Sequence, residues 1–291
     1  MFKRILVCVD PSSPDENILT CCTQMRNLGT EEAILAHVIY VDKSPGLEKM
    51  LAEQAWPEME RQKTVLEQAG LRVTLEMPLG SPVSSLYDLA EKHDVSMIVM
   101  GTHGHGLAES MVLQATALGN VCNKLLNMSS RPILLIRDTI PADECLRECR
   151  DLFGQVLFTT DFSDTAEVAF AYLEQVVRET QCRVTLLHVQ DRVQPAPYLG
   201  HRLKEVQNLD MARLQRLRHH LEGLGAVQVA AEVAMGRPGD KILEVAKARK
   251  CSLILMGTRG KGITRELLLG SVAHQVARHA ERPVLFIPAL R

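Results

Sequence analysis

The sequence predicts an α/β chain made of two similar doubly wound domains, each with five parallel strands and helices between them. Three observations lead to this. Short apolar runs rich in β-branched residues alternate with longer segments of helical periodicity, the signature of a parallel sheet with right-handed crossovers. A set of landmarks occurs twice in the same order. The 291 residues also suit two domains of ordinary size, each with its own core.

The landmarks define the duplication. Arg4 to Asp10 pairs with Gln155 to Asp161, and His37-Val38 with His188-Val189, both 151 residues apart. Gly80-Ser81-Pro82 pairs with Gly236-Arg237-Pro238, and Met100-Gly101-Thr102 with Met256-Gly257-Thr258, both 156 apart. Arg131 to Ile136 pairs with Arg282 to Ile287, again 151 apart. The second copy therefore gains about five residues after His-Val, and the first gains five inside a glycine loop. Chance matches would not stay in order through compensating shifts. The domains are expected at 1–138 and 153–291, joined by Thr139 to Leu152. Within that linker the spacing of Cys145, Leu146, Cys149 and Leu152 suggests a short amphipathic helix.

The elements of the first copy follow in order. Ile5 to Val9 is a continuous apolar run suited to a strand covered on both faces. Ser13-Pro14-Asp15-Glu16 opens a helix, with the serine as N-cap, the proline at the first helical position and an acid at the third. Ala33 to Val41 reads as the second strand and Glu48 to Gly70 as a long helix ended by glycine, matched by Leu203 to Gly223. Leu71 to Met77 is the third strand, Pro82 to His93 a helix and Met97 to Met100 the fourth strand. Val121 to Met128 is the last helix and Ile133 to Ile136 the last strand. In such open sheets, ligands bind beyond the carboxyl ends of the strands, where the strand order reverses. Asp10, Val38 and Gly101 lie at such ends in one copy, and Asp161, Val189 and Gly257 in the other.

Composition narrows the function classes. A net charge of -2 and a pI near 6.6 give no broad attraction to nucleic acid. Apolar runs stay near six residues, against the roughly 20 of a membrane helix. The first residues run straight into a strand and leave no room for a cleaved signal. The eight cysteines are scattered without a Cys-x-x-Cys pair, which suits reduced thiols in a cytoplasmic protein better than a disulfide framework or a metal site.

Chemistry concentrates in the glycine loops. Gly257-Thr258-Arg259-Gly260 follows an apolar run, and Gly270-Ser271 follows after nine residues, opening a helical segment. Glycines let the backbone approach an anion, and a helix start supplies unpaired N–H groups with a partial positive charge. Ser271 reads as a helix cap able to bond an anion oxygen, and Arg259 adds a charge-assisted partner. Lys261 and Arg265 would raise the local potential or be plain solvated charges. Bland roles stand beside the sharp ones. Asp161 could serve the turn before Ser163, His37 and His188 read as hydrogen-bonded core groups, and the basic Leu203 to Leu221 helix as a solvated face.

Taken together, these landmarks resemble the universal stress protein family, specifically its tandem members, over nearly the whole chain. The strongest element is the spacing of its ATP-binding branch: Gly, two residues, Gly, nine residues, Gly, then Ser or Thr, met here by Gly257, Gly260, Gly270 and Ser271. The resemblance implies two Rossmann-like domains and an adenine nucleotide, ATP or AMP with or without magnesium, in the second. Asp161 would then sit by the adenosine, the Val189 backbone by the adenine edge, and Met256 and Gly257 on the ribose side. Arg259, Gly260, Gly270, Ser271 and Val272 would surround the phosphates. The same logic gives a weaker site in the first copy, at Asp10, Val38, Met100, Gly101, His103, Gly104, Gly119 and Asn120. There fourteen residues separate Gly104 from Gly119, Asn120 replaces the Ser or Thr, and His103 replaces the arginine. The family also implies that the short last strands pair with each other inside the chain as a pseudo-dimer, and leaves a homodimer open.

Two other functions compete with a cytoplasmic, nucleotide-binding regulator that acts on a protein partner yet to be identified. One is a scaffold that binds no nucleotide and acts through protein contacts. The other is an enzyme of the wider adenine-nucleotide α-hydrolase group. Against it, the first strands end in Asp10-Pro11 and Asp161-Phe162 without a Ser-Gly-Gly loop, and no acid–base pair or metal cluster emerges. No catalytic residue is expected, although slow ATP hydrolysis stays open.

Overall fold

The computed structural model describes residues 1–11, 16–40, 46–102, 118–137, 151–191, 200–260 and 269–289. In the helix that begins at Gly200, side chains are described from residue 204 on. The expected helix start at Ser13 to Asp15, nearly all of the linker, His103, Gly104, Lys261 and Arg265 lie outside the described residues. The chain forms two compact units, Met1–Asp151 and Leu152–Arg291.

In the first unit, β1 (Arg4–Cys8) leads through α1 (Glu16–Gln24) and a 3₁₀ turn (Met25–Leu28) to β2 (Glu32–Ala36). Then come α2 (Leu47–Gln68), β3 (Arg72–Glu76), α3 (Pro82–Lys92), β4 (Met97–Gly101), α4 (Asn120–Met128) and β5 (Ile133–Ile136). The second unit runs β6 (Gln155–Thr159), α5 (Asp164–Thr180), β7 (Arg183–Gln190), α6 (Gly200–Gly223), β8 (Gln228–Met235), α7 (Pro238–Ala248), β9 (Leu253–Gly257), α8 (Ser271–His279) and β10 (Val284–Ile287). Within the units the strand orders are β3-β2-β1-β4-β5 and β10-β9-β6-β7-β8, all parallel. This is the predicted doubly wound α/β fold.

The apolar runs become central strands because both of their faces are covered. Ile5, Leu6 and Val7 of β1, and Val156, Leu157 and Phe158 of β6, are fully buried. Each such side chain contributes about 1.5–3 kcal/mol. The outer strand β3 has an exposed or half-buried pattern throughout, as expected of an edge. The glycines of the two Gly-x-Pro landmarks take φ 133° at Gly80 and 145° at Gly236, a conformation that requires glycine. Each delivers a proline to the first position of the next helix, Pro82 of α3 or Pro238 of α7. The six described cysteines form no disulfide.

One expected strand is too long. β2 ends at Ala36, not at Val41, and beyond it only an isolated bridge joins Ile39 to Leu79. The cause lies on the neighbouring strand. Pro78 has no N–H to give to a ladder, so the β2–β3 pairing stops short. The equivalent residue of the second unit is Ala234, which pairs with Val189, and β7 and β8 run on to Gln190 and Met235.

Candidate functional site

In the second unit the strand order reverses between β6 and β9, and their carboxyl ends open a cavity of about 550 Å³. That is within the size range of small-ligand sites. All nine residues expected there from the sequence line it: Asp161, Val189, Met256, Gly257, Arg259, Gly260, Gly270, Ser271 and Val272.

At one end stands β7, which outruns β6. Along β7 the carbonyl of Leu187 accepts from Thr160 N at 3.0 Å, on the β6 side, and that of Gln190 accepts from Gly236 N at 3.0 Å, on the β8 side. Peptide groups alternate between the two sides of a strand. Those of Val189 therefore turn towards β6, beyond its last residue Thr159. Backbone N–H and C=O groups seek partners, and at half-buried Val189 no strand supplies them.

At the other end stands the start of α8. Gly270 is the N-cap with φ -62° and ψ 148°, and no side chain caps the first turn. This corrects the expected role of Ser271, which is the first helical residue and not the cap. The amides of Ser271, Val272 and Ala273 thus begin the helix without an intrahelical acceptor. Two backbone bonds pin the turn: Thr258 N donates to Ile287 O at 2.9 Å, and Gly270 N donates to Thr258 O at 2.8 Å.

Between the two ends the glycines are set by close packing. A Cβ on Gly257 would lie 2.8 Å from Thr165 Cγ2, and one on Gly260 would lie 2.5 Å from Asp161 Oδ2. The other carboxylate oxygen of Asp161 accepts from Ser163 N at 3.1 Å and Ser163 Oγ at 2.6 Å, and Ser163 Oγ caps α5 by accepting from Ala166 N at 3.3 Å. Asp161 thus does the turn-forming work that the sequence allowed, while also lining the cavity.

His188 Nδ1 donates to Thr160 O at 2.7 Å, and in the first unit His37 Nδ1 donates to Val9 O at 3.2 Å. Both histidines tie the second strand to the end of the first, as expected of structural groups. His188 has further partners that sequence reasoning missed. Its Nε2 lies 3.4 Å from Asp210 Oδ2, which accepts from Gln190 Nε2 at 2.7 Å. The buried Asp210 of α6 therefore clips two cavity-lining residues of β7. Phe162 was also missed. Its φ of 58° is left-handed, which is strained for a bulky residue. The corner is kept by its N–H, which donates to Thr160 Oγ1 at 2.9 Å, and by its ring, which packs 4.7 Å from that of His188. The backbone carbonyls of Thr102 and Thr258, in the repeated Met-Gly-Thr landmark, anchor the helix starts.

The first unit keeps the same frame. Thr102 N donates to Ile136 O at 2.9 Å and Gly119 N to Thr102 O at 2.9 Å, matching Thr258 and Gly270. Gly119 is the N-cap of α4 with φ -54° and ψ 146°, so Asn120, like Ser271, is the first helical residue and not a cap. Asp10 follows β1, Met100 and Gly101 end β4, and Val38 lies past the end of β2.

Among the described residues no group of three or more His, Cys, Asp and Glu could hold a metal ion. No described helix is long and apolar enough to cross a membrane.

A sequence model of the universal stress protein family matches residues 1–137 and 153–288. A universal stress protein of Mycolicibacterium smegmatis is 28% identical over 222 residues, 76% of this chain and 70% of the relative. One of Thermus aquaticus is 32% identical over 139 residues, 47% of this chain and 99% of the relative. A universal stress protein structure from Archaeoglobus fulgidus aligns over 100% of both chains with a TM-score of 0.74 at 23% identity, a likeness of fold.

Proposed function

Because the chain belongs to the universal stress protein family, we propose that its second unit binds an adenine nucleotide and acts as a cytoplasmic stress-response regulator. The observation that carries this reading is one cavity with two complementary ends. The unpaired peptide edge of Val189 offers a donor and an acceptor to a base. The uncapped start of α8 and the backbone at Gly260 offer positive potential to phosphates. Met256 and Gly257 lie between these ends, on the ribose side, and Arg259 adds charge-assisted bonds at the phosphate end. Magnesium would arrive with the phosphates, since no described cluster would hold it alone. The fit of the residues supports this: the helix start that faces the cavity is left without a side-chain cap.

Calorimetric titration with ATP, ADP and AMP, with and without magnesium, tests the reading and selects the phosphate state. Saturable binding that weakens as phosphates are removed is the expected result. No heat at millimolar nucleotide, with no nucleotide retained on purification, would leave the scaffold reading in its place. The engagement of Asp161 with Ser163 favours that reading, because it shows a structural task for one cavity residue.

A further inference from the structure

A second cavity, of about 560 Å³, lies between α5 and α6. It is separate in chemistry from the first, although Thr160 and Ala166 line both. Three of the six phenylalanines of the chain line it: Phe158, Phe162 and Phe170. Phe158 is fully buried and meets Phe170 edge-on at 5.6 Å, which makes an aromatic floor. Beyond Phe170, its ring lies 6.0 Å from that of His220, and His220 Nε2 bonds Glu174 Oε1 at 2.6 Å, joining the two helices there.

The rim is charged. Arg213 and Arg216, one turn apart on α6, both line the cavity, with Glu167 of α5. Arg213 is engaged, its guanidinium carbon 5.1 Å from the centre of the Phe162 ring and its Nη1 3.7 Å from Asp210 Oδ1. Nearby Arg218 is paired with Glu222 at 2.8 Å. Arg216 makes no ion pair or hydrogen bond among the described residues. A guanidinium without a partner among the described residues, at the rim of an aromatic floor, is suited to one end of a ligand while the rings take the other.

We propose that this cavity is a binding site for a small aryl carboxylate. Its ring packs against Phe170 and the edge of Phe162, above the buried Phe158, and its carboxylate meets Arg216, with Arg213 adding positive potential. Aromatic contacts favour a flat apolar body, and a guanidinium fork matches a carboxylate better than any neutral head group. Glu167 opposes the bound anion and keeps the affinity modest. For about ten heavy atoms the dissociation constant is on the order of 1 mM. The site is independent of the nucleotide reading.

The test uses the full chain with labelled leucine and valine methyl groups, followed by NMR during titration with 3-phenylpropanoate, 3-phenylpropanol and 3-phenylpropylamine. The carboxylate is expected to shift the Leu217 methyls, which line this cavity, and to leave those of Val272, in the first cavity, in place. Arg216→Gln, at an exposed residue, is expected to weaken that binding ~10-fold, and Glu167→Gln to tighten it roughly twofold. The proposal is overturned if Leu217 stays unmoved to ~10 mM, if the alcohol or the amine binds as well as the acid, if Arg216→Gln changes nothing, or if the shifts centre on Val272.

Discussion

The Asp161 carboxylate stands hard against Gly260: a Cβ there would come within 2.5 Å of Asp161 Oδ2, so one of the two would have to move. Gly260→Ala must therefore push away either the loop or the aspartate that caps the turn into α5. Nucleotide affinity is expected to fall ~10-fold or more, since close backbone approach and a fixed carboxylate are both lost. Calorimetry measures the loss, and a far-UV spectrum like that of the parent shows that the fold persists.

Gly257 packs β9 against α5 in the same manner, with the contact made by the methyl of Thr165. Gly257→Ala is expected to destabilise the second unit by about 1–3 kcal/mol through overpacking. Adding Thr165→Ser removes that methyl and should restore most of the stability, because the next contact is at 3.4 Å. Denaturant unfolding of the single and double variants measures it. Simple additivity of the two substitutions would refute the collision.

Asp210 is a buried carboxylate that serves both Gln190 and His188. Asp210→Ala leaves those groups without their partner and should cost about 1–3 kcal/mol. Asp210→Asn keeps an acceptor for Gln190 and should cost less. Hydrogen exchange in β7 and α6 reports where the loosening occurs, and protection equal to the parent in both would argue against the clip.

In the first unit, Glu32 accepts from Arg72 Nη2 at 2.6 Å and from Arg4 Nε at 2.5 Å. The Arg72 bond first, and then the Arg4 bond, hold its pKa below the ordinary 4.5. A folded pKa below the unfolded one gives stabilisation that is complete above pH 4.5 and lost as the pH falls through the folded value. Glu32→Gln should thus cost roughly 1 kcal/mol at pH 7, allowing for screening, and almost nothing in strong acid. Thermal melts of both proteins across pH 2 to 7 measure it. A cost that persists in strong acid would show that packing, not charge, is responsible.

Much of this architecture was legible in the sequence because a central parallel strand, covered on both faces, has to be a continuous apolar run. Ile5 to Val9 and Leu253 to Met256 show it plainly. The cavity lining was legible because Gly257 and Gly260 sit where a Cβ would press on a threonine methyl or a carboxylate, and glycines at such positions stand out in the sequence. What was missed is non-local. The early end of β2 is set by Pro78 on another strand, and the expected Ala33 to Val41 run has no trace of it. Asp210 sits on a helix whose basic composition reads as solvated, and only the fold brings it to His188. The assignment of Ser271 as a cap failed by one residue, since backbone angles place Gly270 there.

The corner at Phe162 sets the two halves apart more firmly than their loops do. Its counterpart is Pro11, whose ring fixes φ near -65°, so the first half is barred from the turn that follows Asp161. Transplanting Asp10-Pro11 into the second half would swing the chain away on a new heading. The ring that now shelters His188 on one side and underlies Arg213 on the other would be gone. Duplication produced two frames of one pattern, but only one of them has this hinge post between neighbouring chambers.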